Sequence, residues 1–210
     1  MNKIKNEVAQ KLLTIQAVFL KPNDPFTWAS GIKSPIYCDN RLILSDVVAR
    51  NYIEKAFCEM IAEKFAEVDC IVGTATAGIG HAAIIAHLLN KPMAYVRASA
   101  KDHGRKNLIE GKIEKKAKVV LIEDLISTGK SSIECIKILQ ENEIEVLGVC
   151  AIFTYQMKTS LENFEQIKIP LFTLTDLDTL LEVASQQDYI EVSDIARIKK
   201  FRDNPEQDNW

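Results

Sequence analysis

The spacing of apolar positions along the chain changes between the period of a helix and the period of a strand. Apolar residues recur at helical spacing from Ile4 to Phe19, and Lys21-Pro22 predicts the end of this first element. The segment Phe26 to Arg41 follows neither period and is rich in Ser, Pro and Gly. A second helix is predicted after it, with these residues on its buried side: Val47, Val48, Tyr52, Phe57, Met60, Ile61 and Phe65.

Later in the chain, short apolar runs predict strands that alternate with helices. The predicted strands are Cys70–Gly73, Met93–Arg97, Val119–Ile122, Val146–Phe153 and Leu171–Leu174. The predicted helices are Ile79–Leu89, about Lys130 to Gln140, one that starts near Thr175 with Thr175 as its cap, and one near Ser193 to Asp203. Uniformly apolar strands between helices are typical of a parallel sheet covered on both faces, so we predict an α/β fold. Ligands of such sheets bind beyond the carboxyl ends of the strands, which directs attention to the residues after Gly73, Arg97 and Ile122.

Composition and charge narrow the class of protein. The 210 residues are 47% hydrophobic, and no linker divides them, so we expect one domain over residues 1–210. Basic side chains number 26 and acidic ones 29; the net charge of −3 disfavours nucleic acid or an anionic membrane as the main partner. No apolar run approaches the ~18 residues of a spanning helix, and the N-terminus lacks the apolar core of a signal peptide. The 5 cysteines are scattered without a C-x-x-C pair, which indicates a reducing, cytoplasmic location.

A strand-loop-helix segment from Val119 to Ser132 carries the densest polar chemistry. Its strand delivers Glu123 and Asp124, and a loop of hydroxyls and glycine then opens a helix. The free N–H groups of a helix start, its positive dipole end and nearby hydroxyls all favour an anion. The carboxylates would repel a phosphate beside them, but they would accept hydrogen bonds from sugar hydroxyls or assist a cation. A ribose 5-phosphate would suit both parts of the segment, since its hydroxyls match the carboxylates and its phosphate matches the loop. The alternative is that the loop only caps the helix and that the two acids face water.

Gly129-Lys130-Ser131 also matches the end of a nucleotide-binding P-loop. That motif needs a glycine five residues before Gly129, where this chain has Asp124, so we exclude it. The segment closely resembles the ribose-phosphate-binding motif of the type I phosphoribosyltransferases, which transfer phosphoribosyl from 5-phosphoribosyl 1-diphosphate (PRPP) to a nitrogen. The resemblance implies that Glu123 and Asp124 lie near the ribose hydroxyls, with Asp124 also catalytic. It implies further PRPP contacts from Leu125, Ile126, Ser127, Thr128, Gly129, Lys130 and Ser131.

A second segment, Arg97 to Lys106, places several cations in a loop after a predicted strand. Such a loop can close over an anionic leaving group, although an isolated basic run is more often a solvated surface loop. The order Arg-x-x-x-Lys-x-His-Gly resembles the catalytic loop of the orotate phosphoribosyltransferases. The resemblance implies a homodimer in which Arg97, Lys101 and His103 contact the diphosphate in the neighbouring subunit's site, with Lys101 and His103 catalytic. Relatives commonly carry another Lys where this chain has Ala98 or Ser99.

Two further segments are similar to parts of the same family. Phe26 to Asp39 resembles the hood that helps to enclose the base, which implies a hood of about residues 1–40 plus C-terminal segments. Lys33 is a candidate orotate ligand there, and the resemblance adds Ser127 and Thr128 as the other orotate ligands. Gly73 to His81 is a turn of small residues between a strand and a helix. It would allow either the close approach of a diphosphate to the backbone or tight packing of the strand against the helix. Relatives often have Lys where this chain has Ala77. We expect His81 either to be structural or to support a residue that contacts the ligand, rather than to be catalytic.

The expected function is orotate phosphoribosyltransferase activity in pyrimidine synthesis. The resemblance implies PRPP and orotate as substrates, and Mg²⁺ held mainly by PRPP rather than by protein ligands. No decarboxylase segment follows, so we expect a monofunctional enzyme. Two alternatives are a PRPP-binding regulator that has lost catalysis and a purine phosphoribosyltransferase. The Lys-x-His-Gly order disfavours both, and the hood segment also disfavours the purine enzyme.

Overall fold

The structure is a computed structural model in which residues 2–27, 31–97, 108–207 and 210 are described. The helices are α1 (Asn2–Thr14), α2 (Val47–Lys64), α3 (Ala77–Leu89), α4 (Lys130–Glu141), α5 (Lys158–Ile167), α6 (Leu177–Gln186) and α7 (Val192–Asp203), with a 3₁₀ helix at Asn40–Ser45. The strands are β1 (Val18–Leu20), β2 (Phe26–Thr27), β3 (Lys33–Ser34), β4 (Ile36–Cys38), β5 (Cys70–Thr74), β6 (Met93–Val96), β7 (Ile109–Glu110), β8 (Lys118–Ile126), β9 (Glu145–Thr154) and β10 (Leu171–Asp176).

The central sheet has the strand order β10-β9-β8-β5-β6-β7 among the described residues. Its neighbours are parallel except for the short β7, which pairs antiparallel with β6. Side chains of β8 alternate between two hydrophobic clusters: Val120 and Ile122 pack with residues of α1, α2 and α3, whereas Val119 and Leu121 pack with residues of α4. The predicted α/β fold, with a parallel sheet covered on both faces, is therefore confirmed.

The strand β8 is longer than the sequence predicts. Its pairing with β9 continues through Ile126↔Thr154, whereas its pairing with β5 ends at Gly73↔Ile122. The prediction placed the strand end at Ile122 because polar residues follow it, but a polar side chain does not interrupt a backbone ladder. Glu123 and Asp124 consequently lie within a strand that has lost one neighbour, at the edge where ligands of such sheets bind.

The N-terminal prediction was wrong about where the first helix ends. Helix α1 stops at Thr14, and Gln16 adopts a left-handed φ of 57°. Val18, which was assigned to the helix, instead begins β1, which pairs antiparallel with β4. The apolar spacing of this stretch fits a helix followed by a short strand equally well, so periodicity alone could not separate them.

Three other local predictions also need correction. Val47 and Val48 are 57% and 71% exposed, although both were expected on the buried side of α2. The cap of α6 is Asp176, whose side chain accepts from the Thr179 N–H, and not Thr175, which lies in β10. Helix α5 was not predicted.

Within the described ranges, no helix combines the length and apolar character that crossing a membrane requires.

Candidate active site

Glu123 and Asp124 lie at the carboxyl end of the central sheet, where β8 extends beyond the end of β5. Glu123 and Asp124 are consecutive residues of β8, so their side chains leave opposite faces of the strand. Glu123 is 5% exposed and Asp124 is half-buried. The two adjacent acids therefore sit in different surroundings and can serve different purposes.

The carboxylate of Glu123 turns toward the start of α4. Its Oε2 accepts from the Ser132 hydroxyl at 3.1 Å and lies 3.4 Å from the Ser131 hydroxyl, while its Oε1 accepts from the Asp124 N–H at 3.1 Å. Burial and the negative charge of Asp124 raise the pKa of Glu123 to about 8. The raised pKa favours the protonated form of Glu123, and the carboxyl group ties the strand to the first turn of the helix.

Asp124 is held through its backbone by the segment that follows β4. The side-chain amide of Asn40 donates to the Asp124 carbonyl at 2.7 Å. The thiol of Cys38 donates to the amide oxygen of Asn40 at 3.3 Å. Burial, with a contribution from the negative charge of Asp124, raises the pKa of Tyr155 well above its usual value. The half-buried Asp124 is therefore held through its backbone carbonyl by a buried amide.

The loop between β8 and α4 has the shape of an anion site. Gly129 adopts a left-handed φ of 77°, and α4 begins directly after it at Lys130, so the first N–H groups of the helix lack intrahelical acceptors. Helix α5 supports this loop, because Asn163 donates to the Thr128 carbonyl at 3.0 Å. A Cβ on residue 129 would lie 2.7 Å from Cε2 of Phe164. Glycine is therefore required here by both conformation and space.

The small-residue turn after β5 packs against the same strand end. A Cβ on Gly78 would lie 2.4 Å from the Ile122 carbonyl oxygen, so only glycine lets α3 start this close to β8. Further along α3, His81 is fully buried, and its Nδ1 lies 2.5 Å from Oε1 of Glu54 on α2. A direct contact of the His81 side chain with a ligand is therefore disfavoured, and its supporting role stays a prediction.

The structure brings together only part of the predicted site. Glu123, Asp124 and Ser131 meet at the end of β8, together with the loop residues Ser127, Thr128, Gly129 and Lys130. Ile126 is 1% exposed and its carbonyl accepts from the Tyr155 N–H, while Leu125 packs on the core. Side-chain contacts of these two residues with a ligand are thus disfavoured.

The two remaining predicted cations that the structure describes, Arg97 and Lys33, belong to segments other than β8. Arg97 follows β6, which is separated from β8 by β5, and its guanidinium lies 3.5 Å from the Glu110 carboxylate. Lys33 belongs to the small β2–β3 hairpin, where it donates to the Thr27 hydroxyl at 2.7 Å. Lys101 and His103 lie outside the described residues, so their predicted roles stay predictions.

The sequence did not predict the residues whose side chains hydrogen-bond to the candidate site and support it. These are Asn40, Ser132, Asn163 and the Glu54 partner of His81. Their polar side chains lie far along the chain from their partners, except for Ser132, and no local spacing indicates such a contact. Ser132 could have been found, since it lies one turn into a helix that begins beside an acid.

Comparison with known proteins identifies the relatives of this chain. A family model described as the phosphoribosyl transferase domain matches residues 46–172. A curated orotate phosphoribosyltransferase of Listeria innocua is 54% identical over 97% of this chain and 97% of its own length. One of Listeria monocytogenes is 53% identical over 99% of this chain and 98% of its own. The crystal structure of orotate phosphoribosyltransferase from Aeropyrum pernix has a TM-score of 0.76 and 27% identity, covering 87% of this chain and 99% of that one.

Proposed function

This chain belongs to the orotate phosphoribosyltransferases, and we propose that it transfers the 5-phosphoribosyl group from PRPP to orotate at the carboxyl end of β8. The products are orotidine 5′-phosphate and diphosphate. One observation supports this location. A single strand-loop-helix segment contains both the half-buried Asp124 and a helix N-terminus that follows directly after Gly129. An acid and an anion site a few residues apart suit a ligand that carries both a diol and a phosphate.

Different residues bind different parts of PRPP. The N–H groups and hydroxyls of Ser127 to Ser131 bind the 5-phosphate, and the Asp124 carboxylate accepts hydrogen bonds from the ribose hydroxyls. Glu123 was also expected at the ribose, but its carboxyl group contacts the hydroxyls of Ser131 and Ser132. We therefore propose that Glu123 contributes less than Asp124 to ribose binding. Ser127 and Thr128 remain our candidates for orotate contacts, with Lys33 as a weaker one.

The reaction breaks the bond between C1′ and the diphosphate oxygen, and the diphosphate leaves with the electron pair. A ring nitrogen of orotate attacks C1′, which has oxocarbenium character in the transition state. Because orotate is already an anion, little general base catalysis is needed. The protein aligns the two substrates, excludes water and neutralises the departing diphosphate, for which Arg97, Lys101 and His103 are proposed.

The residues at the end of β8 fit Mg²⁺ that is held mainly by the substrate. Asp124 offers one half-buried carboxylate, whereas Glu123 is occupied by serine hydroxyls. Mg²⁺ typically keeps several waters and binds through one or two carboxylates plus substrate phosphates. Bound with PRPP, the ion would supply positive charge to the diphosphate, and Asp124 is the side chain positioned to approach it.

We also propose a homodimer in which each subunit lends its 97–106 loop to the other's site. An apolar surface supports this proposal: Leu42, Val47 and Val48 are 41%, 57% and 71% exposed on the 3₁₀ helix and the first turn of α2. Exposed apolar side chains in neighbouring segments of the chain are typical of interfaces between subunits. We further propose a single domain over residues 1–210, with a hood of about residues 1–40 plus C-terminal segments, and a cytoplasmic location.

A spectrophotometric assay tests the function directly. The protein is mixed with PRPP, Mg²⁺ and orotate, and the loss of orotate absorbance is followed. We expect turnover with orotate and none with adenine, guanine or uracil as acceptor. Turnover with a purine but not with orotate would contradict the proposed substrate, and PRPP binding without any turnover would favour the regulator.

A further inference from the structure

The side chain of Asn40 connects the N-terminal part of the chain to the strand that carries Asp124. Asn40 is the first residue of the 3₁₀ helix that follows β4, and it is 1% exposed. Its amide donates to the Asp124 carbonyl at 2.7 Å, across 84 positions of sequence. A fully buried amide is retained in a protein interior only when its hydrogen bonds are satisfied, so this contact is specific.

The position of that carbonyl explains why a side chain is needed. The pairs between β5 and β8 end at Gly73↔Ile122, two residues before Asp124. Past that point, β8 pairs only with β9 among the described strands. The Asn40 amide therefore supplies a donor on a stretch of β8 where the neighbouring strand has ended. Without it, the backbone of Asp124 would be restrained from one side only.

A second contact fixes which way the Asn40 amide faces. The Cys38 thiol donates to the amide oxygen at 3.3 Å, so the NH₂ end is the one that faces Asp124. Burial and the nearby charges of Asp124 and Asp39 raise the pKa of the Cys38 thiol well above its usual value. The thiol therefore keeps the proton that it donates throughout the neutral pH range.

We propose that Asn40 is a positioning residue for PRPP: by holding the Asp124 carbonyl, it fixes the direction in which the Asp124 carboxylate meets the ribose hydroxyls. The inference rests on the proposed role of Asp124. A hydrogen bond from a carboxylate to a hydroxyl is strong only over a narrow range of distance and angle. A strand end that can twist would therefore bind the ribose less tightly even with every ligand residue intact.

The test compares Asn40→Leu with the matched variant Asn142→Leu. Both replace an amide that donates to a backbone carbonyl at 2.7 Å, but Asn142 donates to Ile138 at the far end of α4. Leu has the same number of side-chain heavy atoms as Asn and is uncharged, so it adds no repulsion toward PRPP. Titration calorimetry with PRPP and Mg²⁺ should show binding weakened about tenfold or more in Asn40→Leu, and by less than about twofold in Asn142→Leu.

A double-mutant cycle with Asp124→Asn separates positioning from a general structural effect. If Asn40 acts through the Asp124 carboxylate, Asn40→Leu changes the PRPP dissociation constant by less than about threefold once that carboxylate is absent. An equal loss in both backgrounds would show that Asn40 only supports the fold, and would overturn the inference alone. Unchanged binding in Asp124→Asn would overturn the assignment of Asp124 and the inference with it.

A second pair of variants decides the matter if Asn40→Leu does not fold. Cys38→Ala frees the amide to turn, whereas Cys38→Ser retains a donor to its oxygen. PRPP should bind about threefold more weakly to Cys38→Ala than to Cys38→Ser, because a misdirected amide leaves the Asp124 carbonyl unpartnered. Equal dissociation constants for the two variants would overturn the inference.

Discussion

The Ser132 hydroxyl donates to Oε2 of Glu123 at 3.1 Å, which ties the first turn of α4 to β8, the strand that precedes the loop of Ser127 to Gly129. The loop is thus held at both of its ends by one buried carboxyl group. Its middle is held by α5, through the contact of Asn163 with the Thr128 carbonyl. A loop restrained in this way can present its N–H groups to a phosphate with little ordering on binding, which favours affinity.

The buried Glu123 should make the stability of the protein depend on pH. Its pKa rises from 4.5 to about 8 on folding, so between these values the folded protein binds more protons than the unfolded chain. The free energy of unfolding that Glu123 contributes is present below pH ~4.5 and falls as pH rises, by at most about 1.4 kcal/mol per unit. Glu123→Gln cannot ionise, so urea unfolding at several pH values from 5 to 8 should show a flatter dependence for the variant.

The control for this prediction is Glu134→Gln, because Glu134 lies exposed on α4, the helix whose first turn Glu123 contacts. We expect its stability curve against pH to run parallel to that of the unchanged protein. If Glu123→Gln also gives a parallel curve, then Glu123 ionises in the folded protein much as it does in the unfolded chain, and its assignment as a protonated acid is wrong.

Replacing Gly129 by Ala should destabilise the protein and weaken PRPP binding. The substitution forces an L side chain into a left-handed φ of 77° and places its Cβ 2.7 Å from Cε2 of Phe164. Strain and overpacking together should lower the free energy of unfolding by about 2–4 kcal/mol. Urea unfolding gives this value, and calorimetry with PRPP gives the effect on the loop.

Gly31 offers a matched control for the steric part of that prediction. It has a similar φ of 87°, but a Cβ there would have nothing within 4 Å. Gly31→Ala should therefore lower the free energy of unfolding by only about 1 kcal/mol. Equal losses for the two variants would mean that Phe164 moves aside freely and does not restrict the loop.

The buried contact between Glu54 and His81 should matter for stability rather than for chemistry. Both side chains are buried, at 1% and 0% exposure, and desolvation raises the pKa of Glu54. Glu54→Ala leaves His81 without its partner and should lower the free energy of unfolding by about 3–5 kcal/mol. Glu59→Ala, on the same helix, removes only an exposed pair with Lys55 and should cost about 1 kcal/mol or less. A loss for Glu54→Ala as small as for Glu59→Ala would contradict this assignment.

The fold was predictable wherever the sequence signal is local and repeated. The apolar runs of β5, β8 and β9 and the helices between them indicated a parallel sheet, and the loop chemistry after β8 indicated its ligand edge. The predicted end of β8 was wrong because pairing with β9, a contact between distant segments, decides where that strand stops. Exposure of Val47 and Val48 was also beyond a periodicity argument, since an apolar face looks the same whether it is covered by the chain's own core or by another subunit.

The candidate site shows the same division. Glu123 and Asp124 were found because they are adjacent and follow an apolar run, but their different environments depend on contacts from Ser132 and Asn40. Such contacts join residues by geometry and leave no spacing to detect. The family resemblance supplied Lys101 and His103, which residue patterns alone would leave as part of a solvated loop.

The proposed sharing of the 97–106 loop between subunits predicts recovery of activity in mixed dimers. If Lys101 neutralises the diphosphate as proposed, Lys101→Ala should raise the barrier by about 2.5–4 kcal/mol. Asp124→Ala should also be nearly inactive. If the loop acts in the neighbouring site, a mixed dimer holds one site with both residues intact and one with neither. Random 1:1 reassembly makes about half of the dimers mixed, so about a quarter of the full activity should return.

Native mass spectrometry of the reassembled sample verifies that mixed dimers are present, and each variant carried through the same procedure alone is the control. We expect both controls to stay inactive. A loop that serves its own subunit leaves every site of a mixed dimer lacking either Lys101 or Asp124, because each subunit then carries one defect in its own site. Verified mixed dimers without recovery would therefore assign Lys101 to the site of its own subunit. Unchanged turnover in Lys101→Ala by itself would remove the residue from the catalytic role altogether.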